Sequence, residues 1–200
     1  MTITGIVDNI VDWLNEHVCP EVLMRLPSED GKATNKNYNY TMVHPHAFPL
    51  YLPTRDKLPP KVKANVPSVT VQLEYGNDDP QNREVSITLN FSGWAPGTYE
   101  DDWIIPEGYE PAEGEIPQFR PDYEGWRELW NFVDKTAAAV QSTVFMGDNV
   151  EVMQWAGMEF GPYREEDTTV LDYHPFWYAY LKFKVRCSLR RLNEEVNQYL

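Results

Sequence analysis

The sequence predicts an α+β fold, in which a mainly antiparallel sheet packs against two helices and two long irregular arms interrupt the element order. Two observations carry this prediction. Apolar residues recur at helical spacing within residues 2–18 and 123–143, and they alternate with polar residues in several other stretches. The length of 200 residues fits one domain, residues 1–200, with a sizeable core.

The first helix is predicted between Thr2 and Val18, where apolar residues form one stripe and Pro20 limits any extension. A first irregular arm, residues 27–65, follows and is rich in Pro and Asn. This arm is locally basic, because six cations against three acids give a net charge of +3. The cations are Lys32, Lys36, Arg55, Lys57, Lys61 and Lys63, and the acids are Glu29, Asp30 and Asp56.

Two alternating stretches, Val69–Tyr75 and Val85–Phe91, predict half-buried strands joined by the turn residues GNDDPQN in an antiparallel hairpin. A second irregular arm, residues 93–122, follows the hairpin. Its eight acids and one cation give a net charge of −7. So long an excursion is usually functional or disordered, and this one is too apolar for pure disorder. We therefore expect the second arm to dock onto a partner.

A second helix is predicted over residues 123–143, with Asp122 as its cap, and a strand over VEVMQWAGMEF, Val150–Phe160. The apolar stripe of that helix comprises Trp126, Leu129, Trp130, Val133, Ala137 and Val140. The last strand, Phe176–Leu189, alternates strictly, and its core face is predicted to hold Trp177, Ala179, Leu181, Phe183, Val185, Cys187 and Leu189. The opposite face carries Tyr178, Tyr180, Lys182, Lys184, Arg186 and Ser188 and is expected to meet water or a partner.

Composition narrows the function classes. With 31 acids against 17 cations, the surface repels phosphate backbones, which argues against nucleic-acid recognition. No apolar run is long enough to cross a bilayer, and the N-terminal segment carries acids where a secretory signal carries cations. Two cysteines, Cys19 and Cys187, form no disulfide framework, so we expect synthesis in a reducing cytoplasm and structural thiols.

Motifs for catalysis are missing from the sequence. It holds no GxSxG, no phosphate-binding GxxxxGK[ST] and no GxGxxG, so we expect no enzyme activity and no cofactor. His44 and His46 could both face one metal ion, but a pair of loop histidines without further ligands is the favoured interpretation. An enzyme of an unrecognised type stays open as an alternative.

Carbohydrate binding is the leading small-ligand alternative. Trp94, Trp103 and Trp155 lie in or beside irregular segments and could stack on sugar rings. Aromatic residues are also favoured at protein interfaces, and that interpretation covers more of the chain.

The order of elements resembles the tail-terminator family of tailed bacteriophages. The resemblance rests on the N-terminal amphipathic helix, the VTVQLEYG and VSITLNF hairpin with its excursion, the helix beginning WRELWNFVDK and the final DYHPFWYAYLKFKV. It implies a small α/β protein that forms a hexameric ring at the head-proximal end of the tail tube. The ring stops tube growth and joins the head connector. A related neck or tail-completion protein, or a contractile-tail version that also caps the sheath, is the alternative within phage proteins.

The resemblance implies a virion protein made in the bacterial cytoplasm, with a homo-oligomer, the tube protein and head or neck proteins as partners. It carries no binding residues over to this chain. Complementary charge on two patches of a subunit sets the register of a ring. Our interface candidates are therefore the acidic and apolar residues of the second arm and the outer face of the last strand. They are Glu100, Asp101, Asp102, Trp103, Ile104, Ile105, Tyr178, Tyr180, Lys182 and Lys184.

Overall fold

The fold was obtained as a computed structural model, which describes residues 1–27, 41–99, 112, 119–121, 125–147, 149–165, 169–170 and 174–188. It confirms the predicted α+β class, with two α-helices and a curled, mostly antiparallel sheet. The helices are α1 (Ile3–His17) and α2 (Trp126–Ser142). The described strands are β1 (Met24–Arg25), β2 (Met42–Val43), β3 (His46–Pro49), β4 (Ser68–Asp78), β5 (Asn82–Trp94), β6 (Gly97–Tyr99), β7 (Phe119–Pro121), β8 (Glu151–Val152), β9 (Glu159–Pro162), β10 (Arg164–Glu165), β11 (Thr169–Val170) and β12 (Phe176–Ser188).

The main sheet has the order β3, β4, β5, β12, and the far side of β12 pairs with both β8 and β9. Only the β3–β4 pair among these described strands is parallel. The predicted β4–β5 hairpin is confirmed, and its turn is held by Asp79, whose carboxylate accepts from the backbone amides of Gln81 and Asn82. The short pairs β1–β2, β6–β7 and β10–β11 lie outside this sheet.

Helix α1 begins where the sequence predicts, because the Thr2 hydroxyl accepts the Gly5 amide at 3.1 Å and caps the first turn. The helix packs on β3 and β4. Near its end, the Asn15 side chain forms two hydrogen bonds to the backbone of Ala47, of 2.8 and 3.1 Å. This clamp fixes the edge strand β3 to the helix.

Helix α2 packs on β5 and β12, but it begins later than predicted. Gly125 is its N-cap and makes no side-chain capping bond, so the predicted cap at Asp122 is wrong. Gly125 fits there because a side chain would collide with Ala95 and Trp177. The predicted stripe is also rotated, since Trp126 is exposed and Phe132 is fully buried against Phe91 with ring centroids 5.0 Å apart.

The two helices cover one face of the main sheet, which we call the helix-covered face. Its β12 residues are those predicted for the core, from Trp177 to Cys187, and residue 189 lies outside the described part of the chain. Leu181, Phe183 and Val185 share one core with Leu129 and Val133 of α2, as expected. Arg25 of β1 reaches Glu128 of α2 at 3.0 Å and ties the small β1–β2 pair to this layer.

The strand predicted over Val150–Phe160 is interrupted. Glu151 and Val152 pair with β12 as β8, a 3₁₀ turn over Gln154–Ala156 then bends the chain, and Glu159 and Phe160 pair with β12 again at the start of β9. Val152 and Met153 are both buried, whereas strict alternation would place them on opposite faces. The sheet edge beside β12 is therefore built from two short strands.

Candidate functional site

The second face of the main sheet, which we call the open face, carries the polar residues of β4, β5 and β12. Strict alternation along β12 places Tyr178, Tyr180, Lys182 and Lys184 there, and each is partly exposed. Beneath them, short hydroxyl residues of β4 and β5 form a buried floor. The floor residues are Ser68, Thr70, Ser86, Thr88 and Ser92. This face is the strongest candidate for a functional surface in the described residues.

The cations of β12 find partners within the chain. The Lys182 ammonium lies 2.6 Å from a carboxylate oxygen of Glu74 on β4. The Arg186 guanidinium makes a fork of three contacts, of 2.7 to 3.1 Å, with the Glu151 carboxylate of β8. Lys184 lies 5.9 Å from the centre of the Tyr75 ring, a cation–π contact. The cationic face that the sequence left unexplained is therefore largely neutralised by its own neighbours.

The Glu74–Lys182 pair shifts the titration of both groups. The hydrogen bond from Lys182 is the main cause that lowers the pKa of Glu74, and burial opposes it. The same bond raises the pKa of Lys182. Burial raises the pKa of the neighbouring Tyr163, whose hydroxyl donates to the Asn90 side-chain oxygen. Both members of the Glu74–Lys182 pair are therefore charged at neutral pH.

Tyr180 occupies the space above Gly161, its register partner on β9. A Cβ at position 161 would stand 2.9 Å from the Tyr180 hydroxyl oxygen and 3.0 to 3.1 Å from two of its ring carbons, so glycine lets the ring lie close against β9. The Tyr180 hydroxyl donates to Glu159 at 3.1 Å, and its ring makes an edge contact with Tyr163. Tyr180 is therefore held in one position.

Two adjoining cavities open on the open face, and Gln72, Asn90 and Tyr163 border both. One has about 360 Å³ and is polar, with Glu74, Glu159, Tyr180 and Lys182 around it. The other has about 460 Å³ and is mostly apolar, with Tyr51, Leu52, Tyr178, Thr70 and Ser92 as its main lining. Both volumes are within the range of small-molecule pockets. We call the pair the Tyr163 groove.

The structure locates only part of the predicted interface. Tyr178, Tyr180, Lys182 and Lys184 lie together on the open face. The other six candidates lie outside the described residues: Glu100, Asp101, Asp102, Trp103, Ile104 and Ile105. Whether the second arm meets β12 therefore stays a prediction.

The tryptophans predicted to stack on sugars are not brought together by the described structure. Trp94 is buried, which removes it from any exposed binding platform. Trp155 is exposed and its ring lies 5.2 Å from the Arg186 guanidinium carbon. Trp103 lies outside the described residues. Sugar stacking by this set of tryptophans has no common site in the parts described.

His44 and His46 line a third cavity of about 520 Å³, together with Lys61 and Lys63. The Nδ1–H of His44 donates to the Val22 carbonyl at 2.8 Å, and the His46 ring contacts Phe48 edge-on. Burial lowers the pKa of His46. No group of three or more His, Cys, Asp or Glu suited to a metal ion occurs among the described residues.

Sequence reasoning did not find Tyr51 and Tyr163 as groove residues. Both lie outside the long alternating strands, Tyr51 just after β3 and Tyr163 between β9 and β10. By contrast, the alternation within Val69–Tyr75 and Val85–Phe91 is enough to place Gln72, Glu74 and Asn90 on the polar sides of their strands. The missing information was the strand order, because the pattern does not show that β5 lies between β4 and β12.

No protein-family model matches this chain, and no curated protein sequence matches it. Among the helices described here, none has both the length and the hydrophobicity needed to cross a membrane.

Proposed function

We propose that this chain is a structural virion protein, a phage tail terminator that forms a ring at the head-proximal end of the tail tube. The ring joins the tube to head or neck proteins and, in a contractile tail, contacts the sheath. The resemblance in element order motivates the proposal. The α+β fold, with two helices on one face of the sheet, agrees with what that resemblance implies.

The observation that carries the proposal is the difference between the two edges of the main sheet. A subunit in a closed ring contacts its two neighbours through two different patches on opposite sides. In this chain, β3 forms one edge of the sheet and β9 lies along the other, with β4, β5 and β12 between them. The two edges differ in charge.

The β3 edge is basic. The exposed Leu50 follows β3, and the loop over residues 50–67 has four cations against one acid. All four cations are exposed, and they are Arg55, Lys57, Lys61 and Lys63. Residues 50–65 of this loop belong to the arm that the sequence predicts to be basic, residues 27–65.

The β9 edge is aromatic and acidic. Phe160 is 60% exposed, and its ring contacts the ring of Trp130 on α2, with 6.1 Å between the centroids. Trp126, also on α2, is exposed. Acids outnumber cations by three to one over residues 149–165. Exposed aromatic residues serve as anchors in protein interfaces, while opposite charge sets register and partner choice. The β9 edge of one subunit therefore fits the β3 edge of the next.

The remaining surfaces serve partners above and below the ring in this proposal. The second arm, with its net charge of −7, is long enough to reach a stacked neighbour. No catalytic role is part of the proposal. Another neck or tail-completion protein would share the ring but differ in its place in the virion.

Mass and symmetry test the ring. We expect light scattering and negative-stain images of the purified protein, alone or on tail tubes, to show rings of about six subunits. Phe160→Ala should weaken assembly, because it removes the exposed anchor of the β9 edge. Leu23→Ala is the matched control, since Leu23 is 57% exposed beside β1 and is not part of the β9 edge. Equal assembly by both variants would remove the β9 edge from the proposal.

The arm is tested separately. Deletion of residues 99–115 should leave a folded domain that no longer assembles or caps tails, with folding checked by circular dichroism. Trp103→Ala should weaken assembly more than Asp101→Asn, because rim charges contribute less than about 1 kcal/mol each. Full assembly and tail capping by the deletion variant would contradict this prediction and indicate that the second arm is a solvated loop.

A further inference from the structure

We infer that the Tyr163 groove is a binding site for a neutral saccharide, with Tyr51 as the side chain that stacks on the sugar ring. The groove opens on the open face and adjoins both edges, since Tyr51 and Leu52 belong to the loop over residues 50–67 and Glu159 belongs to β9. The inference does not rest on the ring, and Phe160, the residue of the ring test, does not line the groove. The inference also differs from the tryptophan set considered from the sequence, since none of those tryptophans lines the groove.

The lining of the groove has two kinds of surface. Tyr51, Leu52 and Tyr178 give the larger cavity an apolar wall, and the hydroxyls of Thr70 and Ser92 lie in its floor. Gln72 and Asn90 stand where the two cavities meet. A pyranose has an apolar ring face and a rim of hydroxyls, so it can satisfy both kinds of surface together.

The two amide side chains are held by the protein and keep hydrogen-bonding capacity for a ligand. The Gln72 amide nitrogen donates to the Leu50 carbonyl at 2.8 Å, which leaves its side-chain oxygen as an acceptor. Asn90 accepts the Tyr163 hydroxyl through its side-chain oxygen, which leaves its NH₂ as a donor. A wholly apolar ligand would bury the Gln72 side-chain oxygen and the Asn90 NH₂ group without partners, at a free-energy cost.

Charge in the groove favours a neutral ligand. Glu74 and Lys182 form an ion pair at 2.6 Å, and Glu159 accepts the Tyr180 hydroxyl. Two carboxylates against one ammonium leave this end slightly negative. An anionic sugar would therefore be repelled, whereas a neutral sugar meets no electrostatic repulsion.

The backbone before Tyr51 supplies a second, independent observation. Leu50 has φ of 62°, in the left-handed region that non-glycine residues rarely adopt, and the Tyr51 amide donates to the Pro49 carbonyl in a tight turn. This conformation costs on the order of 1 kcal/mol, and it holds a tyrosine that is 72% exposed at the mouth of the groove. Strain of this kind concentrates at binding sites.

Titration with three neutral trisaccharides, namely maltotriose, cellotriose and chitotriose, tests the inference. We expect isothermal titration calorimetry on the full chain to give at least one of them a Kd on the order of 1 mM. Tyr51→Ala should weaken that binding about tenfold or more, and Tyr51→Trp should preserve it, because stacking needs only an aromatic face. Tyr75→Ala is the matched control: Tyr75 is 58% exposed on β4 but does not line the groove.

Two results would overturn the inference. One is the absence of binding by all three sugars, with folding of the chain confirmed by circular dichroism. The other is equal loss of binding in the Tyr51→Ala and Tyr75→Ala variants, which would place the sugar elsewhere. Stronger binding of a sulfated trisaccharide than of its neutral parent would also contradict the charge argument.

Discussion

The two faces of the main sheet differ in how deeply their side chains are buried and in what those side chains contact. On the helix-covered face, Leu181 and Val185 are fully buried among apolar neighbours of α1 and α2. On the open face of the same strand, Lys182 and Arg186 are paired with carboxylates but remain partly exposed. The free energy of folding is therefore concentrated on one face, because apolar burial contributes far more than exposed ion pairs. The open face is left available for recognition.

Neighbouring residues of β12 give the largest contrast between the faces. Phe183→Ala should lower the free energy of unfolding by about 3 to 5 kcal/mol, because it leaves a cavity between the sheet and α2. Lys184→Ala, one position along on the open face, should change it by less than about 0.5 kcal/mol. Urea unfolding of both variants measures the difference. If Phe183→Ala unfolds like the parent, the assignment of the faces is wrong.

Thiol reactivity tests how well the helix-covered face shields its cysteines from solvent, and it needs no destabilising mutation. Burial raises the pKa of Cys19 to about 12, and Cys187 is also buried with a raised pKa. Alkylation requires an accessible thiolate, so both cysteines should react at least about 100-fold more slowly in the native than in the urea-unfolded protein. Peptide mass spectrometry separates the two sites. Rapid native labelling of Cys187 would indicate that the end of β12 opens.

The sequence anticipated the helix-covered face better than the open face, for a physical reason. A period of two identifies the buried side of β12 from Trp177 to Cys187 because every second residue meets the same core. The start of α2 was misplaced because Asp122 has the properties of a cap, whereas close packing against Ala95 requires glycine at position 125. That constraint is tertiary and leaves no local pattern.

The open face depends on strand order, which sequence pattern does not contain. Glu74 meets Lys182 across β5, and Tyr163 enters from a short segment after β9. The continuous strand predicted at Val150–Phe160 is wrong for a similar reason, since the 3₁₀ turn at Gln154–Ala156 breaks the alternation and leaves Met153 buried next to the buried Val152. Local periodicity predicts on which face of the sheet a side chain lies. Its neighbours on that face depend on the strand order, which only the fold shows.

Arg186 offers the strongest ion pair of the open face. Its fork with Glu151 is partly buried, so Arg186→Ala should cost about 1 kcal/mol, which includes the contact with Trp155. Arg83→Ala is the control, because Arg83 makes a similar fork at the hairpin tip with Asp78, whose side chain is 47% exposed against 28% for that of Glu151, and it should cost less. The midpoint of urea unfolding reports both. Equal costs would mean that solvation at the tip does not weaken the pair.

The Glu74–Lys182 pair should give the smallest effect and the clearest pH dependence. The pKa of Glu74 is lowered, so its contribution is full above its unfolded value of about 4.3 and is lost as pH falls through the lower folded pKa. The pKa of Lys182 is raised, so its contribution is full below about 10.4 and is lost as pH rises through the higher folded pKa. Between these limits the pair should contribute less than about 1 kcal/mol, because about a third of each side chain is exposed.

A double-mutant cycle with Glu74→Gln and Lys182→Met isolates this contribution. We expect the coupling free energy to be constant near neutral pH, to vanish as the carboxylate is protonated in acid, and to shrink with added salt. A coupling with this dependence on pH and salt would show that the pair is partly solvated, as expected for residues on the open face. A coupling of several kcal/mol that resists salt would instead mean that the pair is enclosed, and the groove beside it would then not be open to a ligand.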